Sequence, residues 1–298
     1  MVINFIKYRK VYFILSGITI LGSLVCLIIF NLNLGIDFTG GSILEVEYKA
    51  DRPSNQIIRD KLANLDLGEI YIQPSGEQGV ILRMKDISED THQEVVQKLN
   101  ETGELEERRF EAIGPTIGRE LKQKTKIVVV LSLLAIVLYI AWAFRRVSRP
   151  VSSWQYGIAS LFCLTHDILI PLGILSVLGK FYGVQINIPV ICALLTVIGY
   201  AINNVVVVYD RIRENILRFG KLEFTEITNS SINQTLTRQI NTSLTTLFPL
   251  FFIFFWGGET LKYFALTLIL GITVGLYSSI FLAIPILVQW LKLRRKTI

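Results

Sequence analysis

The stretch SWQYGIASLFCLTHDILIPLGILSVLG, residues 153–179, decides how the rest of the chain is read. It is apolar throughout except for His166 and Asp167. As a helix it is long enough to cross the hydrocarbon of a bilayer, which takes about 20 such residues. Five further stretches carry no charged side chain: Val11 to Leu34, Ile127 to Phe144, Phe181 to Tyr209, Gln239 to Gly258 and Tyr263 to Leu291. Unpaired backbone groups are prohibitive in lipid, so each stretch should be helical. The stretches are continuous rather than alternating, which argues against a barrel.

Composition agrees. Of 298 residues, 51% are hydrophobic and only 18% charged, with a mean hydropathy of +0.50. A soluble chain carries nearer a quarter of its residues as charges. The expected architecture is an α-helical integral membrane protein with six transmembrane helices and one soluble domain between the first and second. Residues 1–34 hold the N-terminus and first helix, 35–125 the domain, and 126–298 a five-helix transmembrane bundle. The bundle helices are expected at 126–144, 153–179, 187–209, 241–257 and 263–291, with a cytoplasmic segment at 210–240 and a basic tail. The first apolar stretch follows Lys7, Arg9 and Lys10 as a signal sequence would, but it exceeds the usual apolar core and no Ala-x-Ala site closes it. It reads as a retained anchor.

Cytoplasmic loops are enriched in Lys and Arg. Four basic groups fall on one face of a six-span chain: Lys7 to Lys10; Arg145, Arg146 and Arg149; Arg211, Arg213, Arg218, Lys221 and Arg238; and Lys292, Arg294, Arg295 and Lys296. The other face has short loops with Lys180 and with Glu259 and Lys262. Both termini are therefore expected in the cytoplasm and the domain outside it, on the far side of the cytoplasmic (inner) membrane. Residues 31–124 hold 18 acids against 12 bases, a net of −6, and the rest 6 against 18, a net of +12. The basic excess is a topology signal; nucleic-acid binding would gather it on one folded surface.

Within the domain, Ser42 to Tyr48 reads as a strand and Pro53 to Leu65 as a helix with Ile57, Ile58, Leu62 and Leu65 on its apolar face. Glu69 to Gln73 and Val80 to Met84 read as strands about a turn at Pro74, Ser75 and Gly76. Asp90 to Leu99 is a second helix and Glu107 to Ile113 a last strand. The order βαββαβ is that of a ferredoxin-like α+β domain, a fold that names no function. His92 is expected to be solvated. At the flanks, Gly35, Asp37, Gly40 and Gly41 precede the domain and Gly114 and Pro115 follow it. Glycines there permit sharp turns or close backbone approach. They are hinge candidates, whether as plain connectors or as transmitters of motion. Thr116 to Lys126 reads as an amphipathic helix leading into the second span.

The polar residues of the spans are the candidate functional ones, because an ionisable group at bilayer depth is costly. Asp167 is the one acid well inside a span. It suits a proton relay, since a carboxyl in apolar surroundings can exchange a proton; a structural hydrogen bond to another span is the alternative. His166 precedes it, and neighbours on a helix are expected to face different ways. Asn203 and Asn204 can hydrogen-bond across helices but cannot take up a proton as a carboxylate does. Asp210, Arg211, Arg213 and Glu214 follow as an interfacial network or as a solvated helix end. The segment from Glu223 to Thr246 reads as a cytoplasmic surface helix with Ile227, Ile232, Leu236 and Ile240 as its apolar face. Arg238 would snorkel to headgroups or face inward. Gly271 and Gly275 have the spacing of close helix packing. Cys26, Cys163 and Cys192 lie in apolar spans and read as small buried residues. They and two histidines assemble no nucleophile–base pair, disulfide framework or metal cluster. No catalytic, cofactor or metal site is expected, and no P-loop pattern is present for a nucleotide.

Several motifs together resemble the SecD/SecF family of protein-export subunits, in the resistance–nodulation–division superfamily. They are GIDFTGG at 35–41, EAIGPTIG at 111–118, the His166–Asp167 pair, and GYAINN at 199–204 running to VYDRIREN at 208–215. Arg238, Thr242, Ser243, Thr245, Thr246, Gly257, Gly258, Gly275, Ser278 and Ser279 continue the likeness, which covers nearly the whole chain. The resemblance implies an auxiliary subunit of the Sec translocase. Such a subunit pairs with a SecD-like partner, associates with the SecY–SecE–SecG channel, and uses the proton motive force to draw exported unfolded polypeptide across the inner membrane. It has no nucleotide site.

One position departs from the family pattern: where the family has an acid implicated in proton conduction, together with the arginine matching Arg238, this chain has Asn204. The partner supplies the titrating acid, Asp167 carries more of the task, or the subunit couples to another ion or is largely structural. Two further readings stand beside the export subunit: a stand-alone superfamily-type exporter of small molecules or lipids, and a scaffold subunit with little ion coupling.

Overall fold

The computed structural model describes residues 3–145, 150–219 and 222–296. Arg146, Arg149 and Lys221, which carry part of the orientation reading, lie outside the described residues, as do the side chains of Glu259, Arg295 and Lys296. In chain order the elements are α1 (Arg9–Phe30, after a helical turn Ile6–Tyr8), α2 (Ile36–Thr39), β1 (Gly41–Tyr48), α3 (Asn55–Leu62), β2 (Tyr71–Ser75), β3 (Gly79–Met84), α4 (Glu89–Asn100) and β4 (Leu105–Ile113). Then follow α5 (Pro115–Ala143), α6 (Ser153–Tyr182), α7 (Ile188–Phe219), α8 (Phe224–Trp256), α9 (Glu259–Phe281) and α10 (Ala283–Lys296). Asn33–Ile127 and Gln185–Ile188 form one unit, and the long helices form the other.

Six helical stretches are long and apolar enough to cross a membrane: Ile6–Phe30, Pro115–Ala143, Ser153–Tyr182, Ile188–Phe219, Phe224–Trp256 and Leu261–Arg294. They differ from the sequence reading at their ends. The amphipathic stretch before the second span and the span itself are one helix, α5, because nothing between Ile117 and Lys126 breaks it; Gly118 stays helical and is there for close packing. Residues 210–240 do not form a separate segment, since α7 runs on to Phe219 and α8 already begins at Phe224. The last span is two helices with a break at Leu282. Pro285 lacks the N–H that would bond the carbonyl of residue 281, which ends α9 there.

The most apolar window of the last span is 67% buried, against 6% for α1 and for α5. Within this unit the α9–α10 span is therefore the central one, and α1 and α5 are peripheral. Small residues set the helix spacing. A Cβ on Gly173 of α6 would lie 2.6 Å from Cβ of Ser23 on α1, and one on Gly271 of α9 2.2 Å from a methyl of Val197 on α7. Of the three cysteines, Cys163 is buried, Cys26 half-buried and Cys192 exposed.

The smaller unit holds an antiparallel sheet in the order β2-β3-β1-β4, with α3 and α4 in the element order βαββαβ. In β1, Ser42 pairs with Met84 of β3 and with Ala112 of β4. The serines before α3 and α4 cap them: Ser54 accepts from Ile57 N and Ser88 from Thr91 N. Leu44, Val46, Ile58, Leu62, Leu82, Val95 and Leu99 are fully buried between the sheet and the helices. His92 is buried, not solvated: it is 4% exposed and stacks on Phe110 at 3.7 Å and 4°. Its Nδ1 lies 3.1 Å from Glu89 Oε1 and its Nε2 3.1 Å from Glu107 Oε2. The helical spacing that placed Val95, Val96 and Leu99 inward also covers position 92, and the ring's apolar faces can be buried when both nitrogens find partners.

The two flanks of this unit are packed together. A Cβ on Gly40 would lie 2.7 Å from Cα of Pro115, and one on Gly118 2.8 Å from the nitrogen of Gly40. Gly40 and Gly41 also have φ of +76° and +138°, which only glycine adopts freely. Gly114 is open by comparison, with Asp86 Oδ2 at 3.8 Å from its would-be Cβ. A third segment completes the unit. Leu34 and Ile186 form a parallel bridge, Gly35 N donates to Ile186 O at 2.8 Å, and Ile186 N to Asn33 O at 2.7 Å. Asp37 Oδ2 accepts from Ile188 N at 2.7 Å, so the aspartate of the Gly35–Gly41 motif caps α7.

Candidate functional site: a polar layer within the helical unit

Asp167 and His166, each 1% exposed, lie in the interior of the helical unit. Ser278 of α9 donates its hydroxyl to Asp167 Oδ2 at 2.7 Å. His166 Nδ1 is 2.9 Å from Asp167 Oδ1. The His166 ring lies over Tyr277 of the same α9, with centroids 5.9 Å apart and planes at 25°. Tyr277 donates to the carbonyl of Tyr12 at 3.3 Å and sits 3.2 Å from Ser16 Oγ on α1. The two neighbours, expected to face different ways, both meet α9: consecutive residues Tyr277 and Ser278 receive consecutive residues His166 and Asp167. A helix turns about 100° per residue, an angle that one closely packed neighbour can span.

When Asp167 is ionised its carboxylate only accepts, so His166 then donates from Nδ1 and is left with Nε2 as its second site. Nε2 is buried with no hydrogen-bond partner among the described residues. In that tautomer Nε2 carries the lone pair of a ring buried beside the carboxylate and Tyr277. Pro171, inside α6, has no N–H for the carbonyl of residue 167, which loosens the helix at the level of the pair.

The layer continues into α8. Ser279 donates to Gln239 Oε1 at 2.7 Å, and Gln239 Nε2 to Thr235 Oγ1 at 3.3 Å. Thr228, Ser231, Thr235, Gln239 and Ser243 are all buried, at spacings of three and four. The inward face of α8 is thus polar along this stretch. Ile227 and Ile232 lie inward too, but Ile240, expected on that face, is exposed. Ser231 accepts from Asn215 Nδ2 at 2.8 Å, which joins α8 to the end of α7. Asn204, 2% exposed, has an amide nitrogen without a partner among the described residues, and so does the hydroxyl of Ser243. A Cβ on Gly275 would lie 3.1 Å from Cβ of Ala201 and 3.6 Å from Asp167 Oδ2, so the glycine lets α7 and α6 close on the layer.

Residues 92–293 match the family described as protein export membrane protein SecD/SecF, C-terminal, and residues 27–51 match the SecD/SecF GG motif. The chain belongs to the SecD/SecF family. The protein translocase subunit SecF of Thermobaculum terrenum is 38% identical over 97% of this chain and 94% of its own length. That of Vibrio alginolyticus is 37% identical over 94% of this chain and 87% of its own. The crystal structure of SecDF, a translocon-associated membrane protein from Thermus thermophilus, superposes with a TM-score of 0.85 at 32% identity over 97% of the chain. SecDF in a super-membrane-facing form gives 0.69 at the same identity. This chain spans 39% and 40% of the length of those SecDF chains.

In this SecD/SecF chain the residues singled out from sequence divide into groups. Asp167, His166 and Asn204 are interior. Asn203 and Arg238 are exposed on the chain's own surface, one residue away from buried Asn204 and Gln239. The interfacial residues form ion pairs along α7: Arg211 with Glu214, and Arg213 with Asp210 at 3.5 Å. Arg211 Nε also bonds Gln234 of α8, as does Asn215 at 2.9 Å, so the network ties two helices together. The spacing of Asp210 and Glu214 did not show that tie. The residues missed from sequence are Gln239, as a member of the layer, and Tyr277. The three- and four-residue recurrence of polar side chains along α8 was the available signal.

Proposed function

We propose that this chain is an auxiliary subunit of the Sec protein translocase that acts with a SecD-like partner to promote export driven by the proton gradient. The observation that carries this reading is Asp167. It is a buried carboxyl at the centre of a bonded polar layer, in a chain whose full-length relatives are translocase subunits SecF. Protonation at the His166–Asp167 pair changes what Ser278 bonds to and the charge beneath the Tyr277 ring, and so biases how α9 packs on α6 and α1. A charge change in a low-dielectric interior is worth several times its value in water, enough to shift a balanced pair of helix packings.

The domain of residues 33–127 is ferredoxin-like and works outside the cytoplasmic membrane, while both termini stay inside it. Within the smaller unit, Asp37 bonds Ile188 N, Leu34 bridges Ile186 and Gly40 packs against Pro115. These ordered contacts support the flanks as firm connections through which motion can pass rather than loose connectors. The SecY–SecE–SecG channel and an unfolded exported chain are the other partners in this reading. The partner subunit meets the exposed Asn203 and Arg238, and supplies the titrating acid that Asn204 does not.

Purification in a gentle detergent tests the assignment. A SecD-like protein and the channel should co-purify, and export into vesicles should fall when this subunit is depleted. Recovery as a homodimer that moves a small molecule by itself would overturn it.

A further inference from the structure

We infer that Asn204 and Ser243 hold an internal water molecule, and that this water connects the polar layer to the carboxyl of Asp167. The connection rests on the proton-coupled reading above; the water site does not. Asn204 Nδ2 and Ser243 Oγ are buried and have no partner among the described residues. The free hydroxyl of Ser243 is out of keeping with its own helix. Thr228, Ser231, Thr235, Thr242 and Thr246 of α8 each return a hydroxyl to the carbonyl four residues back.

The helix register places the two atoms at one level. Gly271 stands against Val197 and Gly275 against Ala201, so α7 and α9 run parallel and the next step sets Asn204 beside Ser278 and Ser279. Helix α8 runs the other way. Its Leu247 clusters with Val197 and Ile272, and its Gln239 bonds Ser279. Across antiparallel α7 and α8, Thr246 bonds Tyr200 at 3.4 Å and Asn215 bonds Ser231, which sets Ser243 level with Asn204 and within about one turn of Gly275. Gly275 is also where α9 comes nearest the acid, since its would-be Cβ lies 3.6 Å from Asp167 Oδ2.

The chemistry selects the occupant. The amide nitrogen only donates, whereas the hydroxyl donates and accepts. A metal cation takes oxygen ligands and would be repelled by an N–H aimed at it. Water accepts from Asn204 and exchanges either role with Ser243. A buried polar atom left unpaired costs about 1–3 kcal/mol, and buried water commonly serves such groups through about three hydrogen bonds. The third bond falls to the Asp167 carboxyl across Gly275. An amide at position 204 then takes part in proton movement by holding the carrier, without itself titrating.

A density map of the intact complex that resolves ordered water tests the site. A peak at about 2.7–3.2 Å from both Asn204 Nδ2 and Ser243 Oγ is expected. Both atoms bonded directly to protein groups, with no peak between them, would overturn it. The connection is tested by Ser243→Ala at equal complex abundance, which should lower gradient-driven export by about a hundredfold, the low end for a lost proton-transfer group. Unchanged export beside a clear water peak would reject the link to Asp167 and leave the proton-coupled reading to be judged on Asp167 itself.

Discussion

Ser278 on α9 and Asp167 on α6 are joined by a 2.7 Å hydrogen bond in the buried centre of the helical unit. The same serine bonds the carbonyl of Gly275 at 3.2 Å, and its neighbour Ser279 bonds Gln239 on α8. Two consecutive serines therefore tie α9 to two different helices, three residues before α9 breaks at Leu282. Replacing Ser278 by Ala leaves a buried carboxylate oxygen without its donor. The expected cost is about 1–3 kcal/mol, read as a lower midpoint of thermal inactivation in detergent. An unchanged midpoint would show that the bond carries nothing.

Asn204→Asp places a second acid at the level of Ser278 and Ser279. Gradient-driven export should then change its pH dependence, because two nearby carboxyls titrate as a coupled pair. Export and its pH profile identical to the parent chain would remove position 204 from the coupling layer.

Gly173→Ala puts a methyl 2.6 Å from Cβ of Ser23, where neither backbone can yield without moving a helix. Overpacking of this kind costs about 1–3 kcal/mol. The variant should show weakened packing of α1 on α6, seen as faster cysteine labelling at the half-buried Cys26. Labelling at the parent rate contradicts the close contact.

In the domain, the Gln93 amide and His92 hold Glu89 below the usual carboxylate range, and Lys61 does the same for Glu101. An acid depressed in the folded state stabilises above its unfolded value of about 4.3, and that contribution is lost as pH falls through the folded one. Amide exchange in α4 should therefore quicken as pH drops below this window, after correction for intrinsic rates. The effect should be small, because both glutamates are exposed. Protection that rises as pH falls would contradict the pairing. His92→Ala should be the larger perturbation, at about 2 kcal/mol, since it removes a buried ring.

The fold was readable where physics acts on single stretches. Uncharged runs of span length have one solution in lipid, and the Ser54 and Ser88 caps and the alternation of Leu44, Val46 and Tyr48 announce the small sheet and its helices. Helix ends were less readable, because continuing a helix past the membrane surface costs little: α7 passes Asp210 with no residue to stop it. Of the site, Asp167 stood out by charge alone. Gln239 did not, because a neutral polar residue four positions from other polar residues looks the same on a solvated face as on a buried one, and only the partner Ser279 decides. His92 misled for the converse reason: its partners Glu89 and Glu107 lie 3 and 15 residues away, and only the fold sets both against the ring.

Asp37→Ala should uncap α7, at a cost of about 1 kcal/mol for a lost N-cap. Faster amide exchange at Ile188 and its successors is the expected sign. Exchange as slow as in the parent would mean that the bond between Asp37 and Ile188 does not hold the helix start.

Proton-gradient-driven export by vesicles carrying Asp167→Asn is the most direct measurement. The amide keeps the shape, can still accept from Ser278 and can donate to His166 Nδ1 once that ring carries its proton on Nε2, but it cannot exchange a proton. The complex should assemble at parental abundance, and export should lose its response to the gradient. Export that responds to the gradient at the parental rate, with the complex intact, would contradict a proton-carrying role for Asp167.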